Sequence, residues 1–224
     1  MLGHTRSRLF VQTPWPKYSL RYTTSNTVNE LTYPDPPTAN HHDLPSFLSY
    51  ASRVGSDPKS TVFTGTHYEY TVQSALGMIG LETRRIGASN DRGIDLLGTW
   101  KVPSSPNYLK ILVQCKVLSK VAGPVLAREL EGAFGGAPTG WRDQGVLGIL
   151  VTSTASSKGL RETILRSQWP ISHVMCDSRG RLLQMLWNKK AEENGLQGMS
   201  VGQSYSREGE RSIRLLWKGL NIMP

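Results

Sequence analysis

The run Val146-Leu147-Gly148-Ile149-Leu150-Val151 has no polar side chain, and nothing else in the chain limits the fold so tightly. It is far too short to cross a bilayer, which takes roughly 20 apolar residues, and shorter than the roughly 10–12 residues of a buried helix. A run of this length, bounded by Gly145 and Thr152, is a strand buried on both faces. Such a strand needs a layer of structure on each side of its sheet, so the chain must supply helices as well as strands. Ile171–Cys176 is a second strand of the same buried sort.

The flanking segments supply those layers. Tyr68, Val72, Leu76 and Ile79 recur at helical spacing across Thr66–Ile79, and Gly80 stops the helix. Leu81–Gly87 and Gly93–Trp100 read as paired strands about the turn Ala88-Ser89-Asn90-Asp91-Arg92, and Leu109–Leu118 as a third. Helices are predicted over Val125–Phe134, before Gly135-Gly136, and over Ser156–Gln168, before Trp169-Pro170. The order α-β-β-β-α-β-α-β specifies an α/β fold, a mixed central sheet with helices on both faces. Arg181–Trp187 and Arg211–Lys218 share a Leu-Leu and Trp flavour and are expected to pair with each other as an added strand pair.

The ends differ in composition from this core. Residues 1–29 hold Arg6, Arg8, Lys17 and Arg21 and no acid, with many Ser and Thr and no long apolar stretch. Those are the marks of a disordered mitochondrial transit peptide rather than a secretory signal; an ordinary basic tail shares them. Residues 30–58, with Pro34, Pro36, Pro37 and Pro45, read as a linker in which Leu44–Val54 is a short amphipathic piece able to dock on the domain. Adjacent His41 and His42 cannot share a helical face as an i,i+4 metal pair does, and read as a solvated loop. The folded domain spans 59–177 and a C-terminal extension 178–224. Over all 224 residues the formal charge is +9, which is compatible with a polyanionic partner without specifying one. Cys115 and Cys176 lack Cys-x-x-Cys spacing, so neither a disulfide framework nor zinc is expected.

Chemistry concentrates on the third strand. Alternation puts Ile111, Val113, Cys115 and Val117 on one face and Leu112, Gln114 and Lys116 on the other. The preceding strand carries Asp95 within Gly93-Ile94-Asp95-Leu96-Leu97, where a carboxylate needs a partner. On neighbouring strands about 4.8 Å apart, Asp95, Gln114 and Lys116 converge. A carboxylate and an amide oxygen are the hard ligands Mg²⁺ takes, and an ammonium stabilises charge developing on a phosphoryl group. Glu69 on the first helix completes the catalytic set, and the metal set is Asp95, Gln114, Glu69 and the backbone carbonyl of Cys115, whose thiol faces the core. Glu69 has a second reading, as the N3 residue of a capping box beginning at Thr66.

These residues, Glu69, Gly93-Ile94-Asp95 and Gln114-Cys115-Lys116, resemble the PD-(D/E)xK nuclease superfamily in its Mrr-like restriction endonuclease branch. Arg85-Ile86-Gly87 leading through Asp91-Arg92-Gly93, Glu129-Leu130-Glu131-Gly132-Ala133 and Gly148–Ser153 follow in that family's order. The similarity covers about Gly65–Asp177. It implies a restriction-endonuclease-like core, Mg²⁺ or Mn²⁺ as cofactor with no zinc or nucleotide, and hydrolysis of phosphodiester bonds in DNA. Gln114 stands where the superfamily has an acid, which removes one negative charge from the metal cage. With its basic leader, linker and tail, the whole chain resembles the fungal mitochondrial family required for respiratory growth, its member numbered seven. That similarity implies a mitochondrial protein supporting respiration, and the matrix is the expected compartment. Arg92, Lys158 and Arg161 are the candidate DNA contacts, the last two on a helix whose Ser- and Thr-rich N-terminus suits phosphate. No segment is expected to be integral to a membrane. The competing function is a catalytically idle module on the same scaffold, binding DNA or a protein partner.

Overall fold

In the computed structural model the described residues are 31–87, 93–142 and 145–222, so the leader expected over 1–29 lies outside them. From Thr32 onward they belong to one compact unit. Its frame is a six-stranded sheet in the order β1 (Leu81–Arg85), β2 (Leu96–Trp100), β3 (Leu109–Lys116), β4 (Val146–Thr152), β5 (Ile171–Cys176) and β6 (Leu182–Trp187). The first three strands form an antiparallel meander, β3, β4 and β5 run parallel, and β6 returns antiparallel to β5. Every residue of β4 is buried, as its apolar run requires.

The register sorts side chains into two layers. Leu96, Ile111, Val113, Ile149, Val151 and Val174 share a core cluster with Tyr68, Val72 and Leu76 of α2 (Thr61–Gly77). The Tyr68 hydroxyl donates to the Cys176 carbonyl at 2.8 Å, tying α2 to the end of β5. Leu112, Gly148 and Leu150 face the other way, under α3 (Val125–Gly136) and beside α4 (Lys158–Arg166). At Gly148 a Cβ would stand 2.7 Å from the Phe134 ring, so glycine lets α3 lie close. The mixed sheet with helices on both faces is the one the element order specifies.

Three local expectations are corrected. The first helix starts at Thr61, capped by the Ser60 hydroxyl on the Phe63 amide, rather than at Thr66. Glu69 therefore lies in the helix interior and is no capping-box residue. His41 is not in a solvated loop: its Nδ1 donates to the Tyr70 hydroxyl at 2.8 Å, while that hydroxyl donates to the His41 carbonyl. It joins Phe47 and Tyr70 in the aromatic contact that seats α1 (Leu44–Val54) on α2. His42 is exposed, its side chain 84% accessible. Lastly, β6 does not pair with the distal Leu-Leu segment. The tight turn at Gly180, with φ 79°, sends Leu182 straight back along β5. The distal segment forms β8 (Arg211–Trp217) of a separate sheet with β7 (Met199–Tyr205) and β9 (Leu220–Asn221). Short connections favour neighbours in sequence, and Met199–Tyr205 gives β8 a nearer partner than β6.

Candidate functional site

The regular β2–β3 ladder stops at the pair Leu96–Val113, and the site is built where it stops. The Asp95 amide donates to the Val113 carbonyl at 2.9 Å, and the Cys115 amide donates to Asp95 Oδ2 at 2.6 Å. A carboxylate thus takes a place that backbone holds elsewhere in the sheet, lodged between the start of β2 and the end of β3. On the β1 side, the Ile86 and Gly87 amides both donate to the Asp95 carbonyl, at 2.8 and 3.0 Å. Two residues against one is a bulge, a local distortion that re-aims side chains.

Two glycines bring the polar groups together. A Cβ at Gly87 would lie 3.2 Å from Glu69 Oε2 and 3.3 Å from Asp95 Oδ1. The two carboxylates therefore flank one point, no farther apart than the sum of those distances. Gly93, at φ 79°, would put a Cβ 2.8 Å from Gln114 Nε2. Only glycine combines that positive φ with so close an approach to the amide.

Glu69 is held by Arg85, whose Nε donates to its Oε2 at 2.5 Å; the side chains are 14% and 12% exposed. Removing one partner from a pair buried this deeply costs about 3–5 kcal/mol. Gln114 is 3% exposed, and its Oε1 has no hydrogen-bond partner among the described residues. Lys116, on the same strand face as Gln114, reaches Glu129 of α3 at 3.2 Å. Burial, and then the negative charge of Asp95 and Glu69, push the Cys115 thiol well above its ordinary range. It stays protonated against the core, as its strand parity requires.

Beside Lys116 in the β3–β4 register is Thr152. Its hydroxyl donates to the Thr154 carbonyl at 2.6 Å, so the 2.8 Å contact with His173 Nε2 must be donated by the imidazole. His173 Nδ1 is then a buried acceptor with no partner among the described residues. Burial, assisted by the Arg161 charge, lowers its pKa from 6.5 to about 4.

Of the residues singled out from sequence, Glu69 and Asp95 flank the Gly87 position, Asp95 accepts from the Cys115 amide, and Gln114 approaches Gly93. Lys116 leaves the same strand but is drawn to α3. Arg92 lies outside the described residues. Lys158 is 84% exposed and 3.8 Å from Glu162, and Arg161 donates to the Ser156 carbonyl at 2.6 Å. Sequence reasoning missed Arg85 and Glu129 as the partners of Glu69 and Lys116, and missed the Thr152–His173 pair. No spacing rule finds such partners, because each contact joins separate elements.

The donor types at the ladder end suit a hard divalent cation: one carboxylate, and one buried amide oxygen with no hydrogen-bond partner among the described residues. Among the described residues no group of three or more His, Cys, Asp or Glu is placed to hold a metal ion by itself. A cation held there would keep several waters, as Mg²⁺ does, rather than sit in an all-protein cage.

A family model described as Required for respiratory growth protein 7 matches residues 60–108 and 103–205. An uncharacterised protein of Schizosaccharomyces pombe, named as mitochondrial, is 31% identical over 160 residues, 69% of this chain and 62% of that one. The mitochondrial Required for respiratory growth protein 7 of Vanderwaltozyma polyspora is 34% identical over 139 residues, 42% of this chain and 54% of that one. Its namesake in Saccharomyces cerevisiae is 28% identical over 132 residues, 40% of this chain and 54% of that one. The chain thus spans between about half and 62% of the length of these relatives. Among solved structures, the MspJI restriction endonuclease with a 27-mer oligonucleotide aligns at a TM-score of 0.30 and 15% identity, over 58% of this chain and 28% of that one. A likeness at that score carries no argument. Among the described residues, no helix is long and apolar enough to cross a membrane.

Proposed function

The chain belongs to the Required for respiratory growth protein 7 family, and on that premise we propose that it is a mitochondrial matrix protein supporting respiratory growth, with a restriction-endonuclease-like core that hydrolyses phosphodiester bonds in DNA. The observation that carries this reading is the buried Gln114 oxygen, which has no donor among the described residues and belongs to the residue before Cys115, whose amide holds the Asp95 carboxylate. An unsatisfied buried acceptor costs about 1–3 kcal/mol, and a cation relieves that cost.

Asp95 and Gln114 would hold the ion, Mg²⁺ or Mn²⁺, which would supply positive charge to the phosphoryl oxygens and make a nearby water more acidic. Asp95 is fixed for this by the Cys115 amide. Glu69, aimed by Arg85, accepts hydrogen bonds from water at the Gly87 cradle. Lys116 turns from Glu129 to a phosphoryl oxygen and offsets the charge that develops there; its partner is 43% exposed, so the pair is cheap to exchange. The wild-type chain is expected to nick supercoiled DNA with Mg²⁺ or Mn²⁺, and Asp95→Ala and Lys116→Ala each to lower the rate about a hundredfold or more. Folded variants that cut as fast as wild type would overturn the mechanism.

The two internal ion pairs favour a second reading, in which Glu69 and Lys116 are committed to Arg85 and Glu129 and the scaffold only grips DNA. An inert wild type that still binds DNA, with affinity falling steeply in salt, selects that reading.

A further inference from the structure

A cavity of about 590 Å³ opens at the other end of the sheet, within the usual size range of small-molecule sites. Phe134, Arg142, Trp169, Lys190, Glu193 and Asn194 contribute to its wall. It lies beside Val146, whereas Lys116 sits across from Thr152, six register positions further along β4, about 20 Å away. The ladder-end site and this cavity are separate.

Its chemistry is specific. Trp169 stacks on Phe134 with ring centroids 4.8 Å apart and planes at 22°, yet 45% of the residue stays exposed. One ring face is supported and the indole still offers surface to a planar ligand. Two cations share the wall. Arg142 is anchored through Nε on the Ala137 carbonyl. Lys190 is 3.2 Å from Glu193, both about half exposed. Such a surface pair is worth about 0–1 kcal/mol, so an incoming anion can share the ammonium. Glu193 then accepts from an exocyclic amine. The Asn194 amide is steadied by donating to the Val146 carbonyl.

We propose that this cavity binds a nucleoside monophosphate, its base stacked on Trp169 and its phosphate held by Arg142 and Lys190. The sequence has no motif for such a ligand and the expectation from sequence was of no nucleotide, because the wall is assembled from four separated segments. The proposal does not rest on the nuclease reading.

Calorimetric titration of the full chain with 5′-AMP, adenosine and inorganic phosphate tests it. AMP is expected to saturate a single site, with adenosine and phosphate each at least about tenfold weaker. Trp169→Ala and Arg142→Gln each weaken AMP about tenfold, while Trp169→Phe, which keeps an aromatic ring, stays near wild type. Asp95→Asn leaves AMP affinity unchanged, which separates this cavity from the ladder-end site. Absence of saturable AMP binding at millimolar concentration overturns the proposal. So does AMP binding that survives Trp169→Ala and Arg142→Gln, or that is lost in Asp95→Asn.

Discussion

Replacing Gln114 by Met asks whether the buried amide is a cation ligand or an ordinary structural group. The buried Gln114 oxygen has no donor among the described residues, a condition that costs about 1–3 kcal/mol. Met is of similar length, and a volume-conserving exchange in a packed site costs less than about 1.5 kcal/mol. The two together give a net gain of about 1 kcal/mol for Gln114→Met in chelated buffer. For a chain of this size that raises Tm by about 2–4 °C. Saturating Mn²⁺ reverses the order. A ligand at a hundred times its Kd stabilises the wild type by about 2.7 kcal/mol, and the variant lacks the oxygen that earns that gain. Differential scanning fluorimetry with EDTA and with Mn²⁺ therefore should show the two melting curves cross. A Met variant less stable than wild type in EDTA would refute the reasoning, since the amide would then be bonded within the fold. A variant that keeps the full Mn²⁺ shift would refute it equally, by showing that the cation sits elsewhere.

Two further outcomes follow from the fold. His173 is neutral when folded, with its pKa lowered to about 4. The unfolded chain therefore binds the extra proton first, and stability falls as pH drops from about 6.5 towards 4, by about 3 kcal/mol in all. Urea denaturation at pH 7, 6 and 5 should show that slope in wild type and a shallower one in His173→Asn; identical slopes would count against it. Gly98 faces β1 so closely that a Cβ would stand 2.1 Å from the Glu82 carbonyl oxygen and 2.8 Å from Thr83 Cα. Both are backbone atoms that cannot swing aside, so Gly98→Ala should cost about 3 kcal/mol, read as a Tm lowered by about 6–12 °C. A melting temperature within a degree or two of wild type would show that the strands tolerate separation.

The elements visible in the sequence were those carried by local pattern. The unbroken apolar run of β4, the alternation through Ile111, Val113 and Cys115, and the helical spacing of Tyr68, Val72 and Leu76 all met their expected faces. The helix start was misplaced because Thr66-His67-Tyr68-Glu69 has the letters of a capping box, while Ser60 supplies the cap in the fold. The pairing of β6 was misassigned because two similar Leu-Leu segments look like partners until the turn at Gly180 places one of them against β5. At the candidate site, the strand positions of Asp95, Gln114 and Lys116 were legible from alternation and element order. Arg85, Glu129 and the Thr152–His173 pair were not.

The amino-acid sequence by itself determined the periodicities, and with them the order of strands and helices and the two layers they must form. Side-chain alternation and helical repeat are properties of a few consecutive residues, so they survive without knowledge of what packs against them. Tertiary structure alone decided what each polar group meets: Glu69 meets Arg85 from β1, Lys116 meets Glu129 from α3, and the Gln114 oxygen meets no donor among the described residues. Those outcomes depend on contacts between segments distant in the chain. Whether a buried polar group is satisfied, and hence available to a ligand, is a property of its surroundings rather than of its neighbours in sequence.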